Sequence, residues 1–410
     1  MISSVTLTAP KQDNLPFYLT ALVAAMIATS SIVMLEPAPC DLLFGVCLLL
    51  LLVTGRFMVM RSGHALLYVG LLLLLLGNLF SLPFAHDPAF AVRYFMITVY
   101  LVVSWLVFTA LLGRYGKSLA LVVVKAYHIA ACVTASVGVL ARFHLMPHAE
   151  IFMRDTSGMR IKSTFKDPNV LGPFLVGAVV LVVAEMLSSK RVRLHQILCL
   201  VLYVSGILFT FSRGAFLNLA VSGFVFVALH LMFRPSGQQL ARLSALAVPA
   251  AALVLIAGVV ALQTTDLTDY FVDRLSFQEY DNNRFGVQGE VMSTAAVTPL
   301  GIGPGQWNKS RYRQGVHNTY LRVWVENGFV GLVGYLTFLG GWFMTTWNGL
   351  NRRGPYVHYY IAAASVVAGV LVESMVIDTL HWRHYFLFLA LPVGLMAHEQ
   401  DSRAGACVSA

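Results

Sequence analysis

The chain has 410 residues, of which 58% are hydrophobic and only 11% charged, and its mean hydropathy is +0.74. A soluble globular protein carries roughly 25% charged residues, so this composition excludes a soluble enzyme and indicates a protein that lies in a lipid bilayer. The formal net charge of +9 would suit nucleic acid, but the basic residues fall in connections between apolar runs. We therefore expect no nucleic-acid partner.

The apolar runs predict an all-α fold with about 12 transmembrane helices, because a span needs roughly 20 apolar residues. We treat residues 1–410 as a single integral membrane domain. Residues 1–16 lack the pattern of a cleaved signal peptide, so we expect the first span to be retained. The predicted spans are 17–36, 38–54, 64–84, 92–112, 119–143, 169–188, 196–211, 214–233, 243–262, 319–348, 357–378 and 384–398.

The sidedness of the chain follows from its short basic connections, since lysine and arginine are retained in cytoplasmic loops. Every second connection is basic and free of carboxylates, which predicts cytoplasmic termini; these connections carry Arg56/Arg61, Arg114/Lys117, Arg191/Arg193, Arg234/Arg242 and Arg352/Arg353. Four connections on the opposite, outer side are basic as well: 144–168, 211–214, 379–383 and the large loop 263–318 between spans nine and ten. Basic residues held there indicate an anionic ligand or internal salt bridges.

Arg213 lies in the turn between the seventh and eighth spans, which reads Thr-Phe-Ser-Arg-Gly-Ala over residues 210–215. The turn is too short for the guanidinium to move far from the membrane interface. Arg213 either snorkels there as a structural residue or presents its fork of N–H donors to a phosphate or pyrophosphate. In the second case, Gly214 would let the ligand approach the backbone.

Lys166 directly precedes the sixth span, in a segment that also contains Lys162. In structural terms, Asp167 or Asn169 caps the helix and Pro168 begins its first turn. Two lysines beside a helix N-terminus also attract anions, because the helix dipole adds positive potential. Lys166 is therefore a candidate for phosphate binding.

Two residues of the large outer loop, Arg284 and His317, point to chemistry. Imidazole is the side chain that accepts a proton near neutral pH, and a nearby arginine would lower the pKa of His317 and keep it neutral. The alternative is a structural histidine at the interface. Beyond it, Arg322 and Glu326 are one helical turn apart and are predicted to form an intrahelical ion pair.

The turn between the last two predicted spans carries His381 and Arg383 beside Trp382. Such a turn is typical of an aromatic belt with one snorkelling arginine. It would equally suit a segment that closes an outer site. The residues alone leave both interpretations open.

We expect neither a cofactor nor a metal. The sequence contains no Walker A, HExxH, GxSxG or GxGxxG motif, and its five cysteines have no metal-like spacing. The carboxylates between residues 263 and 281 would suit a divalent metal or glycoside hydrolysis, but a solvated loop that balances the basic residues explains them better. Energy for a reaction must then come from an activated substrate or a gradient.

Five short segments occur in a fixed order on the outer half of the predicted topology. They read STFKDPNVLGPFL (163–175), SRGAF (212–216), PLGIGPGQW (299–307), HNTYLRVWVENGFVGLVGYL (317–336) and HWRHYFLFLAL (381–391). In this combination they resemble the O-antigen ligase and the O-antigen and exopolysaccharide polymerase superfamily. The resemblance extends over roughly residues 160–395.

The resemblance implies a bacterial inner-membrane glycosyltransferase whose active site faces the periplasm and whose donor is a glycan on undecaprenyl diphosphate. By motif position, Arg213 and Arg284 would bind the donor pyrophosphate and His317 would be the catalytic base or position the acceptor. Lys166 is the third candidate for the pyrophosphate. The candidates for acceptor binding or site closure are Asn318, His381 and Arg383. A base opposite the leaving group predicts inversion at the anomeric carbon.

Three functions remain open at this point. The first is a polymerase that joins lipid-linked repeats of an exopolysaccharide or O-antigen-like glycan, favoured by the HWRH ending; a chain-length regulator is a candidate partner for it. The second is a ligase that transfers the glycan to lipid A-core. The third is an exporter or flippase, against which stand the few charges within spans (Lys125, Glu185 and Glu373) and the lack of a clear two-fold repeat.

Overall fold

The computed structural model describes residues 15–55, 64–154, 159–189, 191–234, 279–309 and 315–409. Within these ranges the chain forms helices and no strand, apart from one isolated bridge between Met153 and Ile161. The predicted all-α fold is therefore confirmed for the described part of the chain.

Eleven α-helices run through the described ranges: α1 Phe17–Ala28, α2 Pro39–Val53, α3 Ala65–Ser81, α4 Pro88–Arg142, α5 Pro168–Ser188, α6 Leu194–Thr210, α7 Arg213–Phe233, α8 Glu279–Val297, α9 Thr319–Arg352, α10 Val357–Glu373 and α11 Arg383–Ser409. Short 3₁₀ turns occupy Leu82–Phe84, Ala149–Phe152 and Gln306–Lys309. Among the described residues, five helical stretches are long and apolar enough to cross a membrane: Ala65–Phe84, α4, α5, α7 and α9. Four shorter apolar helices accompany them. The predicted span 243–262 lies outside the described residues.

Two glycines break the longest helices. At 55 residues α4 would be about 82 Å long, far more than the roughly 30 Å of a hydrocarbon core. It is interrupted at Gly116, whose φ of 47° and ψ of −123° are not helical, between the predicted spans 92–112 and 119–143. In α9 the break is at Gly328, with φ 69° and ψ −174°.

The structure also differs from the predicted elements at the end of the first span and in the large outer loop. The first span was expected to reach residue 36, but α1 ends at Ala28. The Thr29 hydroxyl bonds to the Ala25 carbonyl and the Ser30 hydroxyl to that of Ile27, and such local bonds compete with the helical ladder. The outer loop 263–318 also contains a full helix, α8, in its described part.

Helix α9 packs against α3 through small residues. A Cβ at Gly334 would overlap the backbone of Leu74, and one at Gly77 would overlap the backbone of Gly331. Small residues let two backbones approach closely, which is how helices associate where lipid removes the hydrophobic driving force. This pairing fixes the helix that follows His317.

The connections that were predicted to share the outer side meet at one end of the helix bundle, which we call the site end. The contacts that join them are Thr164–Ser31, Lys166–Glu36, Asp87–Gln306, Ser212–Asn169, Thr319–Ser374 and Arg383–Asp41. At the opposite end, His398 bonds to the Gly113 carbonyl over 3.0 Å and Glu399 lies against Gly354. The contacts of the described connections therefore fall at two ends of the bundle, and the side of the membrane that each end faces stays a prediction.

Candidate functional site

Arg213 is the first residue of α7 and is half-buried. Helix α6 ends at Thr210, and Phe211 turns the chain with a left-handed φ of 46°. The Ser212 hydroxyl then caps α7 by accepting a hydrogen bond from the Ala215 amide. Because Arg213 follows this cap directly, its charge adds to the positive potential of the helix N-terminus.

The N-termini of α5 and α7 are linked to each other. Asp167 caps α5, as predicted, by accepting from the Asn169 amide at 2.8 Å. The Asn169 side-chain oxygen accepts from the Ser212 hydroxyl at 2.8 Å and from Arg160 at 3.4 Å. Arg160 also donates to the Thr210 carbonyl at the end of α6. The sequence reasoning did not single out Arg160, although it had marked the 144–168 connection as unexpectedly basic.

Lys166 lies at the site end but pairs with another side chain. It forms an ion pair with Glu36, in the connection between α1 and α2, and Arg93 lies 3.7 Å from the same carboxylate. The hydrogen bond from Lys166 lowers the pKa of the Glu36 carboxyl below its ordinary value. Both partners are half-exposed, so the role of Lys166 in donor binding stays a prediction.

His317 is half-buried and directly precedes the cap of α9. The side-chain oxygen of that cap, Asn318, accepts from the Leu321 amide at 3.1 Å, and its nitrogen donates to the Met375 carbonyl at 3.2 Å. The next residue, Thr319, donates its amide to the Ser374 carbonyl at 2.8 Å. His317 is thereby held against the turn that follows α10.

The same turn also contacts the segment that carries Arg213. Glu373, the last residue of α10, lies so close to Gly214 that a Cβ there would be 2.7 Å from its carboxylate. Residues 373–375 therefore contact both the start of α7 and the start of α9. Arg213 and His317 are thus each next in the chain to a residue that contacts the same three-residue stretch.

Arg284 lies in α8, and its side chain is outside the described residues. The helix itself packs on the site end through Val291 and Ala295, which form a small apolar cluster with Trp307, Val316 and Val325. Val316 directly precedes His317. The helix that carries Arg284 is thus anchored beside the candidate base.

His381 and Arg383 both have partners within the protein. The Nε2 atom of His381 lies 3.0 Å from the Thr98 hydroxyl, and its ring is 4.4 Å from that of Tyr94. Burial lowers the pKa of His381 to about 4, so its imidazole is neutral at pH 7. Arg383 forms two hydrogen bonds of 2.8 and 2.7 Å to Asp41 and so joins α11 to α2. Their part in acceptor binding or site closure stays a prediction.

The predicted pair between Arg322 and Glu326 is confirmed, with 3.2 Å between nitrogen and oxygen. The Glu326 carboxylate also accepts from the backbone amides of Gly305 and Trp307. Residue 302 bonds to Val325 and residue 303 to Glu326 through their backbones. The PLGIGPGQW segment is therefore wrapped around the first part of α9, which the sequence did not reveal.

The assembled site end has the chemistry to bind a phosphate ester and to move a proton. Arg160 and Arg213 flank two linked helix N-termini, which favours anions. The candidate proton acceptor, His317, is held at the neighbouring turn.

One comparison with known proteins bears on this arrangement. Residues 198–336 match a protein-family model described as O-antigen ligase. The matched range covers about a third of the chain and contains Arg213, Arg284 and His317. It confirms the resemblance to the O-antigen ligase and polymerase superfamily. No curated protein matches the chain.

Proposed function

We propose that this protein is a glycosyltransferase of the bacterial inner membrane that polymerises lipid-linked repeat units of a surface polysaccharide at the periplasmic face. Its donor is a glycan on undecaprenyl diphosphate. The observation that carries the proposal is that the chain neighbours of Arg213 and His317 contact the same stretch, residues 373–375, and that both residues lie in the range that matches the O-antigen ligase family model.

Arg213 and Arg284 bind the donor pyrophosphate in this proposal. Negative charge grows on the diphosphate as the bond between it and the sugar breaks, and preorganised cations stabilise such charge. The N-terminus of α7 adds its dipole to the charge of Arg213, and Arg160 lies beside it. Lys166 joins this group when the donor draws it away from Glu36.

His317 acts as the general base. Its neutral imidazole takes the proton from the acceptor hydroxyl while that oxygen attacks the anomeric carbon. The new glycosidic bond forms as the bond to the diphosphate oxygen breaks, and the electron pair leaves with undecaprenyl diphosphate. Attack opposite the leaving group inverts the anomeric configuration.

The acceptor decides between two closely related functions. A second lipid-linked repeat makes the protein a polymerase, which the HWRH ending favours. Lipid A-core makes it a ligase, which the description of the matched family favours. In both cases Asn318, His381 and Arg383 are the residues proposed to bind the acceptor or close the site, and a chain-length regulator would act only with the polymerase.

A transfer assay with the purified protein separates these functions. The protein is supplied with the lipid-linked repeat alone or together with lipid A-core, and the products are separated by size. We expect oligomers of the repeat on lipid without lipid A-core. Glycan that appears only on lipid A-core would establish the ligase instead, and no transfer to either acceptor would refute the proposed chemistry.

A further inference from the structure

A buried ion cluster lies behind the candidate base. Arg322 pairs with Glu326 on its own helix and with Asp378 in the turn between α10 and α11. The side chains of Arg322 and Glu326 are only 8% and 3% exposed. The guanidinium also lies over the Tyr94 ring, 4.8 Å from its centre. The guanidinium is therefore enclosed by protein groups and is almost completely removed from solvent.

Such a cluster is a costly way to hold a fold together, because charges removed from water lose hydration that their pairing only partly restores. Its advantage is a defined geometry: each charge must find its partner at a set distance and direction. One Nη atom of Arg322 is buried with no hydrogen-bond partner among the described residues. The cluster therefore fixes position more than it contributes stability.

The cluster joins four segments that surround the candidate site. Glu326 holds the Gly-rich segment through the Gly305 and Trp307 amides. Asp378 lies in the turn whose earlier residues bond to Asn318 and Thr319. Tyr94 belongs to α4, and its ring also packs on His381. Arg322 contacts Glu326, Asp378 and Tyr94 directly, so it connects these segments to one another.

We propose that Arg322 is a positioning residue: it fixes the turn 374–382, and with it His381, against the start of α9 behind His317. The inference rests on the proposed function for its catalytic consequence. When Arg322 is lost, both the base and the closing turn are free to shift. A displacement of about 1 Å at a catalytic group costs on the order of 10²-fold in rate.

The cluster acts on His381 through position more than through charge. Burial lowers the pKa of His381 to about 4, the carboxylate of Asp378 raises it, and the cation of Arg322 lowers it. The imidazole is therefore neutral at pH 7, where its Nε2 atom lies 3.0 Å from the Thr98 hydroxyl and its ring packs on Tyr94. The expected effect of losing Arg322 is a displaced turn.

The test compares Arg322→Met with Trp342→Phe in the transfer assay. Trp342 lies on the same helix beyond the Gly328 break and donates a buried hydrogen bond to the Leu389 carbonyl, so its variant controls for a local loss of stability. For Arg322→Met we expect turnover per folded protein to fall about 10²-fold with little change in the KM for the donor.

Two further measurements keep the test decisive. Arg322→Lys retains the charge but not the planar guanidinium that contacts both Glu326 and Asp378, so it should fold while turnover stays reduced. Hydrogen exchange, which needs no substrate, should show faster exchange in 299–309 and 374–382 together in Arg322→Met and no change there in Trp342→Phe. Unchanged exchange, or turnover that falls only with the folded fraction, would refute the positioning role. No transfer by the unmodified protein would instead refute the proposed function. The positioning role of Arg322 would then be tested by hydrogen exchange alone.

Discussion

At the scale of single residues, the site depends on groups that the fold holds in place. His317 stands before a helix cap that is tied to the turn after α10, so its backbone is fixed. Arg213 is fixed in the same way by the Ser212 cap. Substitutions of these two side chains should therefore affect chemistry with little effect on folding.

Replacing His317 with alanine should lower turnover by about 10²–10⁴-fold, the usual contribution of a general base. Replacing Arg213 with lysine keeps the charge but removes the planar fork that matches a phosphate. We expect it to lower turnover by up to about 10²–10³-fold and to raise the KM for the donor. Both are measured in the transfer assay, with thermal unfolding in detergent as the control. Full activity in both variants would exclude these residues from the site.

Residue-level prediction from sequence succeeded where the signal was local. The Asp167 cap and the Arg322–Glu326 pair follow from spacings of two to four residues, and the structure confirms both. Asp378 and Asp41 were not recognised as partners of Arg322 and Arg383, because those pairs are 56 and 342 residues apart in the chain. No periodic pattern in the sequence indicates a contact between residues so far apart in the chain.

At the scale of elements, glycines decide where the long helices break. The break in α9 at Gly328 brings the first part of α9 against the Gly-rich segment, where the Phe329 amide bonds to the Pro299 carbonyl. The sequence predicted one continuous span over 319–348. Its apolar pattern does not show the break, because an isolated glycine within a helical pattern is usually tolerated.

The conformation at Gly328 predicts a selective loss of stability. A Cβ there would meet the Pro299 and Leu300 backbone, and the φ of 69° disfavours any L side chain. Gly328→Ala should destabilise the protein by at least about 1–3 kcal/mol. Gly340 is the matched control in the same helix, since a Cβ there meets nothing within 4 Å, and Gly340→Ala should change stability by less than about 1 kcal/mol. The stabilities of the two variants are compared by thermal unfolding. Equal losses of stability would contradict the break in α9 at Gly328.

At the scale of the whole molecule, the charges of the connections predict which connections lie together, whereas the apolar runs predict only the approximate bounds of the spans. The alternation of basic connections predicts two sides, and several described connections of the predicted outer side contact one another; the side that they face stays a prediction. What the pattern could not provide is the arrangement within the site end. Glu36 and Lys166, for example, are brought together where the connection between α1 and α2 bonds to the Thr164 carbonyl.

The last prediction concerns which end faces the periplasm. His148 is exposed at the site end, and Asn351 is exposed near the end of α9 at the other. We expect His148→Cys to react with a membrane-impermeant thiol reagent in cells whose inner membrane is intact, and Asn351→Cys to react only after that membrane is permeabilised. Both are made in a chain whose five cysteines are replaced by alanine, so that no native thiol contributes. The reverse result would place Arg213 and His317 on the cytoplasmic side, where the repeat has not yet been flipped outward, and the proposed polymerisation at the periplasmic face would then be untenable.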